Sequence, residues 1–391
     1  MPEGFSGNWL KRRSNRSNRK ERNRTYQSPL GSASRRPAAD QWNLIKKDVY
    51  VAPPRHQIPG WLIPLASFLL IVLFVFVVAP ALTNRISGMV NPTSPSGQAI
   101  VDQLYGDETA VVRVPVADLL NKPDLKGERV AQALYNEPVV KTDVPAAAGF
   151  TAVRLSDGSE GFMFADQLTD LRESIEPAAH QYKLVISAPT RRIMTHASRG
   201  TLVAEVMMGT VLFSDYRGDG VYRVHLPAGG WGWISDEGTI ALGIHDMIKP
   251  AKDLARYFAS SAMAFHRVTR LENGLSVRGA SSAGMAYIAA RINGVTLPRT
   301  LAGQSAAGKP VTLRTDPSTA LLDLSVLKTG DLVFFASESD GKKPGEMGIV
   351  LTDGQLLMSR RGWTSIRMVN LSQLPELHRQ IISVRRIITE P

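Results

Sequence analysis

The chain has 391 residues, 43% of them apolar, and contains no cysteine. That length accommodates several domains, and the missing cysteine excludes disulfides, thiolate zinc sites and any thiol nucleophile. The net charge is +11, yet residues 1–60 alone carry 13 Lys/Arg against 4 Asp/Glu. The basicity therefore belongs to a tail, and no nucleic acid is expected as a partner of the folded part.

Residues 1–60 are rich in Arg, Asn and Ser (KRRSNRSNRKERNR) and poor in apolar residues, a composition expected of a disordered segment. Trp61 to Leu82 then runs 22 residues without a charge. About 20 apolar residues cross a bilayer core as a helix, so the lipid bilayer is an expected partner through residues 61–82. Lys and Arg are retained on the cytoplasmic side. The expectation is a single-pass signal anchor in the cytoplasmic (inner) membrane, with the N-terminus inside and residues 83–391 extracytoplasmic. Residues 83–99 read as a short stalk containing Ser, Pro, Gly and Asn.

After the stalk one pattern occurs twice, over residues 100–172 and 180–243. Each copy has short apolar strands separated by Gly- or Asp-marked turns. Val221-Tyr222-Arg223-Val224-His225-Leu226 alternates polar and apolar residues as a half-buried strand does. The pattern resembles the bacterial Src-homology-three-like (SH3-like) barrel. Leu119-Leu120-Asn121 and the closing Gly232-Trp233-Ile234 carry that resemblance, with Gly161-Phe162-Met163 as the weaker counterpart in the first copy. It implies modules that bind wall peptide or position a neighbouring catalytic domain. Trp233 is expected to fill a small core, while Tyr222 and Trp231 are the candidates for an exposed aromatic binding surface.

Residues 249–391 carry three landmarks in order. They are Ser281-Ser282-Ala283-Gly284 with Leu297-Pro298-Arg299-Thr300, then Leu327-Lys328-Thr329-Gly330-Asp331-Leu332-Val333-Phe334-Phe335, then Glu346-Met347-Gly348-Ile349 leading to Asp353-Gly354. Met285–Ile292 is apolar at helical spacing and reads as a buried helix. Leu332–Phe335 is a continuous apolar run, as in a strand buried on both faces. Gly348–Leu351 and Gln355–Met358 read as the arms of a hairpin.

These landmarks resemble the NlpC-type family of papain-like cysteine peptidases, which cut the peptide stems of peptidoglycan. The fold class implied for the chain is multidomain: a transmembrane helix, two small all-β SH3-like barrels, and an α+β papain-like domain. The resemblance aligns the nucleophilic cysteine with Ser282, the acid before it with Ser281, the histidine base with Glu346, and the third polar residue with Met358. All three catalytic positions are thus replaced. Met347 and Met358 would offer an adaptable apolar surface, and no metal or cofactor motif is visible. The expectation is a pseudopeptidase that binds peptidoglycan stem peptides, or scaffolds an envelope protein complex, without hydrolysis. The alternative is a serine-dependent hydrolase in which Ser282 is activated by His266 or Glu346, because a hydroxyl needs an adjacent base.

Overall fold

The computed structural model describes residues 106 and 108–388, apart from 316, 317, 319, 320, 322 and 353. The basic tail, the apolar run Trp61 to Leu82 and the stalk lie outside the described residues, as does Asp353 of the expected hairpin turn. Among the described residues no helix is long and apolar enough to cross a membrane.

The first sheet has seven strands: β1 (Thr109–Val112), β2 (Val116–Leu120), β3 (Arg129–Leu134), β4 (Pro138–Lys141), β5 (Phe150–Arg154), β6 (Glu160–Phe164) and β7 (Leu168–Thr169). The second also has seven: β8 (Tyr182–Ile186), β9 (Thr190–Met194), β10 (Leu202–Met207), β11 (Val211–Gly218), β12 (Val221–His225), β13 (Trp231–Ser235) and β14 (Thr239–Gly243). The strand orders are β3-β2-β6-β5-β4-β1-β7 and β10-β9-β13-β12-β11-β8-β14. They match strand for strand, so the sequence pattern that occurs twice folds the same way twice. Each sheet wraps its own core, with Leu119, Val139 and Met163 in the first and Leu184, Ile193 and Tyr222 in the second.

The remainder holds α1 (Leu254–Ala262), the hairpin β15 (Leu275–Ser276) and β16 (Gly279–Ala280), α2 (Ser282–Ile292) and α3 (Leu301–Ala306). They are followed by β17 (Lys309–Pro310), β18 (Leu332–Ala336), β19 (Pro344–Val350), β20 (Gln355–Met358), β21 (Arg367–Asn370), α4 (Pro375–His378) and β22 (Ile381–Arg386). The six strands from β17 to β22 form one sheet in the order β17-β22-β18-β19-β20-β21. Successive side chains of a strand point to opposite faces. Leu332 and Phe334 of β18 accordingly join the core around α2, while Val333 and Phe335 join the core on the other face.

Helix α2 begins three residues before the expected Met285. Ser281 caps it, its Oγ accepting the N–H of Gly284 at 3.0 Å, which satisfies one of the helix's orphan donors. Nearly every α2 residue is buried, as fits a helix that is apolar all round. Its core also takes in Leu134 from the first sheet and Val185, Met207 and Met208 from the second sheet and the turn after β10.

A buried ion pair reinforces that junction. Arg299, 5% exposed, donates from Nη2 to Glu137 Oε1 at 2.6 Å, and also donates to the carbonyl of Gln132. Glu137, in the turn between β3 and β4, accepts the Leu134 N–H at 2.9 Å, and Asp157 lies 3.3 Å from Arg299 Nε. The Arg299 guanidinium also covers the Tyr287 ring of α2 at 5.0 Å. Burial pushes the Glu137 carboxyl up, but the charges of Arg299 and Arg291 and the Leu134 N–H outweigh it and hold the carboxyl below its ordinary value.

Two predictions follow from this packing. Glu137→Gln leaves Arg299 buried without its partner and should cost about 3–5 kcal/mol in denaturant titration, whereas the double change Glu137→Leu with Arg299→Met should cost less than either single change. Because the folded-state pKa of Glu137 is depressed, its contribution is complete above the unfolded value near 4.5. It is lost as pH falls through the folded value, so the gap between wild type and Glu137→Gln should close in acid. Second, a Cβ on Gly284 would run into the carbonyl of Gly274 and the backbone of Leu275. Gly284→Ala should therefore destabilise by about 1–3 kcal/mol, although alanine is the better helix former; a stabilised variant in thermal unfolding would refute the close packing.

Candidate active site

Ser282 is the first residue of α2 and is 4% exposed. Its hydroxyl lies where the first N–H groups of the helix make the potential positive. Ser282 Oγ accepts the backbone N–H of Ser359 at 2.7 Å and sits 3.1 Å from Ser359 Oγ. Ser359 follows β20 directly, so α2 and the sheet are tied together at the hydroxyl.

The loop before α2 is held by the first sheet. Leu275 N–H donates to Gln132 Oε1 at 2.9 Å, and Asn273 Nδ2 donates to the Arg129 carbonyl at 2.7 Å. Gln132 and Arg129 are in turn fixed by Asp118, to which Gln132 Nε2 donates at 2.8 Å and Arg129 Nε at 2.7 Å. Burial pushes the Asp118 carboxyl up, but the bonds from Arg129 and Gln132 overcome it and set it below its ordinary value, so it stays ionised at neutral pH.

Ser281, Ser282, Asn273, Glu346, Met347 and Ser359 line one small cavity of about 40 Å³. Glu346 also borders a larger cavity of about 380 Å³ edged by Arg270, Glu272, Glu338 and Arg360. Its carboxylate accepts the Arg361 N–H at 2.5 Å and pairs with Arg360 Nε at 3.2 Å. Burial raises the Glu346 pKa; the Arg361 N–H and the charge of Arg360 pull the other way without cancelling it. A carboxylate so placed is a stronger base than an exposed one.

Several sequence-derived residues are placed otherwise than expected. Met347 and Met358 are 1% and 0% exposed, so they are not an adaptable surface. Met347 packs in the core around α2. Met358, paired with Gly348, packs on the opposite face with Phe335 and Leu356. Tyr222 is 1% exposed and sits in the core of the second sheet, which corrects its assignment to an exposed aromatic surface. Trp231 is exposed as expected; it stacks on His225 at 3.8 Å, and the Arg223 guanidinium lies 4.8 Å from its ring. Trp233 is half-buried, edge-on to Tyr216. His266, half-buried after α1, does not line the cavity that holds Ser282. The residue that sequence reasoning missed is Ser359, and its signal was its place directly after the third aligned position.

No family model matches the chain. A γ-D-glutamyl-L-lysine dipeptidyl-peptidase of Bacillus cereus is 24% identical over 270 residues, covering 69% of this chain and 69% of that protein. One of the same name from Bacillus subtilis is 25% identical over 266 residues, covering 68% and 80%. Among solved structures, an NlpC/P60 family protein from Bacillus cereus superposes with a TM-score of 0.60 at 21% identity, over 72% of this chain and 100% of that one. The two relatives matched in sequence are named as peptidases, which indicates a hydrolase and overturns the expectation of a non-catalytic pseudopeptidase. That expectation equated replaced side chains with lost chemistry, whereas a buried hydroxyl and a carboxylate of raised pKa share one cavity. In fold, and in sequence over more than two thirds of its length, the chain resembles the NlpC/P60 peptidases.

Proposed function

We propose that this protein is a membrane-anchored peptidase acting on γ-D-glutamyl bonds of peptidoglycan stem peptides, with Ser282 as nucleophile and Glu346 as proton acceptor. The observation that carries the reading is the Ser282 hydroxyl, buried at the start of α2 and accepting a backbone N–H, in a cavity that Glu346 also lines. The substrate class comes from the γ-D-glutamyl-L-lysine dipeptidyl-peptidases that the chain resembles.

In this reading Ser282 Oγ attacks the scissile carbonyl and its proton passes to Glu346. The C–N bond breaks, the proton leaves with the amine, and water then hydrolyses the acyl-serine. The Ser359 N–H and the first N–H groups of α2 favour negative charge on the attacking oxygen. A hydroxyl has a far higher pKa than a thiol, so the step leans more on the base than it would with cysteine.

The full chain incubated with L-alanyl-γ-D-glutamyl-L-lysine should release the dipeptide L-alanyl-D-glutamate. Ser282→Ala should abolish release, and Glu346→Gln should lower it by about 10²–10⁴-fold. Glu346 must be ionised to accept the proton, and its pKa is raised from 4.5. The acid limb of the rate profile should therefore lie above that value and disappear in Glu346→Gln. Absent release, or release that persists in Ser282→Ala, would refute the assignment.

For location, we propose that Trp61 to Leu82 crosses the cytoplasmic membrane and that the two seven-stranded sheets are SH3-like modules outside it. The 22-residue uncharged run and the basic residues before it support that topology. The chain has no cysteine, so Val144→Cys, at a position 53% exposed, provides a single label site. A membrane-impermeant maleimide should label it in intact spheroplasts; labelling only after lysis would reverse the orientation.

A further inference from the structure

A second cavity, of about 310 Å³, lies between the second sheet and the C-terminal end of α2. Its first lining residue on α2, Tyr287, lies five residues, roughly 7.5 Å of helix rise, beyond Ser282. On β8, Leu184 and Ile186 face the sheet's own core, so Lys183 and Val185 face the other way. Register partners continue that outer face: Leu242 of β14 stands opposite Lys183, and Val211 of β11 opposite Val185. Leu297, from the segment after α2, and Arg291 of α2 also line it.

The lining is thus apolar apart from a few polar groups, and its charged members among the described residues are two cations, Lys183 and Arg291, with no acid. Lys183 has no carboxylate within 4 Å among the described ion pairs. Burial pulls its ammonium below the ordinary range, and only the more distant charge of Asp246 opposes this. The Asp246 carboxylate is engaged instead by the Gly243 N–H at 3.2 Å. Arg291 donates to the Tyr287 hydroxyl at 3.3 Å and reaches Glu137 only at 4.0 Å. A half-buried cation in an apolar wall is costly without an anion beside it. A concave apolar site of this size with a few convergent polar groups suits a small ligand.

We propose that this cavity binds a small apolar carboxylate, its hydrocarbon body against Val185, Val211, Leu242 and Leu297 and its carboxylate between Lys183 and Arg291. The ligand is distinct from the peptide substrate, because the cavity shares no lining residue with the one around Ser282.

The test is calorimetric titration of the full chain in lipid nanodiscs with 4-phenylbutyrate, using empty nanodiscs as the blank and the neutral 4-phenylbutyramide as the comparison. The carboxylate should bind at least tenfold more tightly than the amide. Lys183→Gln should bring the carboxylate down to the amide's affinity while leaving the amide unchanged, and Lys183→Arg should keep the preference. No binding of the carboxylate, equal binding of the two compounds, or unchanged carboxylate affinity in Lys183→Gln would each overturn the proposal. Should Lys183→Gln fail to fold, the acid–amide comparison on the wild-type chain and on Lys183→Arg decides it.

Discussion

The contact on which the structure turns is the buried pair of Glu137 and Arg299. Both charges are almost wholly removed from water, and such a pair is tolerated only when the remaining donors and acceptors are also satisfied. Here most of them are: Glu137 takes the Leu134 N–H, and Arg299 reaches Gln132, Asp157 and the Tyr287 ring. The pair joins a turn of the first sheet to the segment that leads out of α2. An apolar contact could slide along that surface, whereas this ion pair fixes one register between sheet and helix. The position of Ser282 is therefore set in part by the first sheet.

A second clamp follows the same logic at the other end of α2. Gln132, one strand turn from Glu137, holds the Leu275 N–H, and Arg129 holds Asn273 through its carbonyl. The wall of the Ser282 cavity formed by Arg270, Glu272 and Asn273 is thus pinned to β3, and Asp118 pins β3's polar side chains in turn. The first sheet is part of the site's framework, a role different from a tether that hands wall peptide to an independent enzyme. The second sheet contributes differently: its turn at Gly209, with φ of +86°, approaches Ile288 on the buried side of α2.

Where one segment carried its own pattern, the sequence was legible. The buried strand at Leu332, the apolar helix after Ser281 and the hairpin ending at Met358 all form as their periodicity predicts. The similarity of residues 100–172 and 180–243 appears as two sheets of identical strand order. What was not legible depends on which way a side chain faces in three dimensions. Met358 aligns with a catalytic position yet packs with Phe335 and Leu356. Ser359, one residue on, meets Ser282 instead. Alternation in fact puts Tyr222 on the face of Val224 and Leu226, and that face packs into the core with Leu184 and Ile193. The Glu137–Arg299 pair joins residues 162 positions apart, a separation at which no local pattern operates.

In the proposed mechanism the electrostatics around Ser282 bear on what Glu346 needs in order to act as the base. A histidine base can carry a positive charge after accepting a proton, and an orienting polar partner stabilises that charge. A glutamate in the same role becomes neutral, so no such partner is needed. A glutamate base requires something else: its ionised form must survive partial burial before the reaction. Arg360 and the Arg361 N–H supply that support while leaving the pKa above the ordinary value. In the proposed mechanism the arginine beside Glu346 therefore suits a base that starts as an anion.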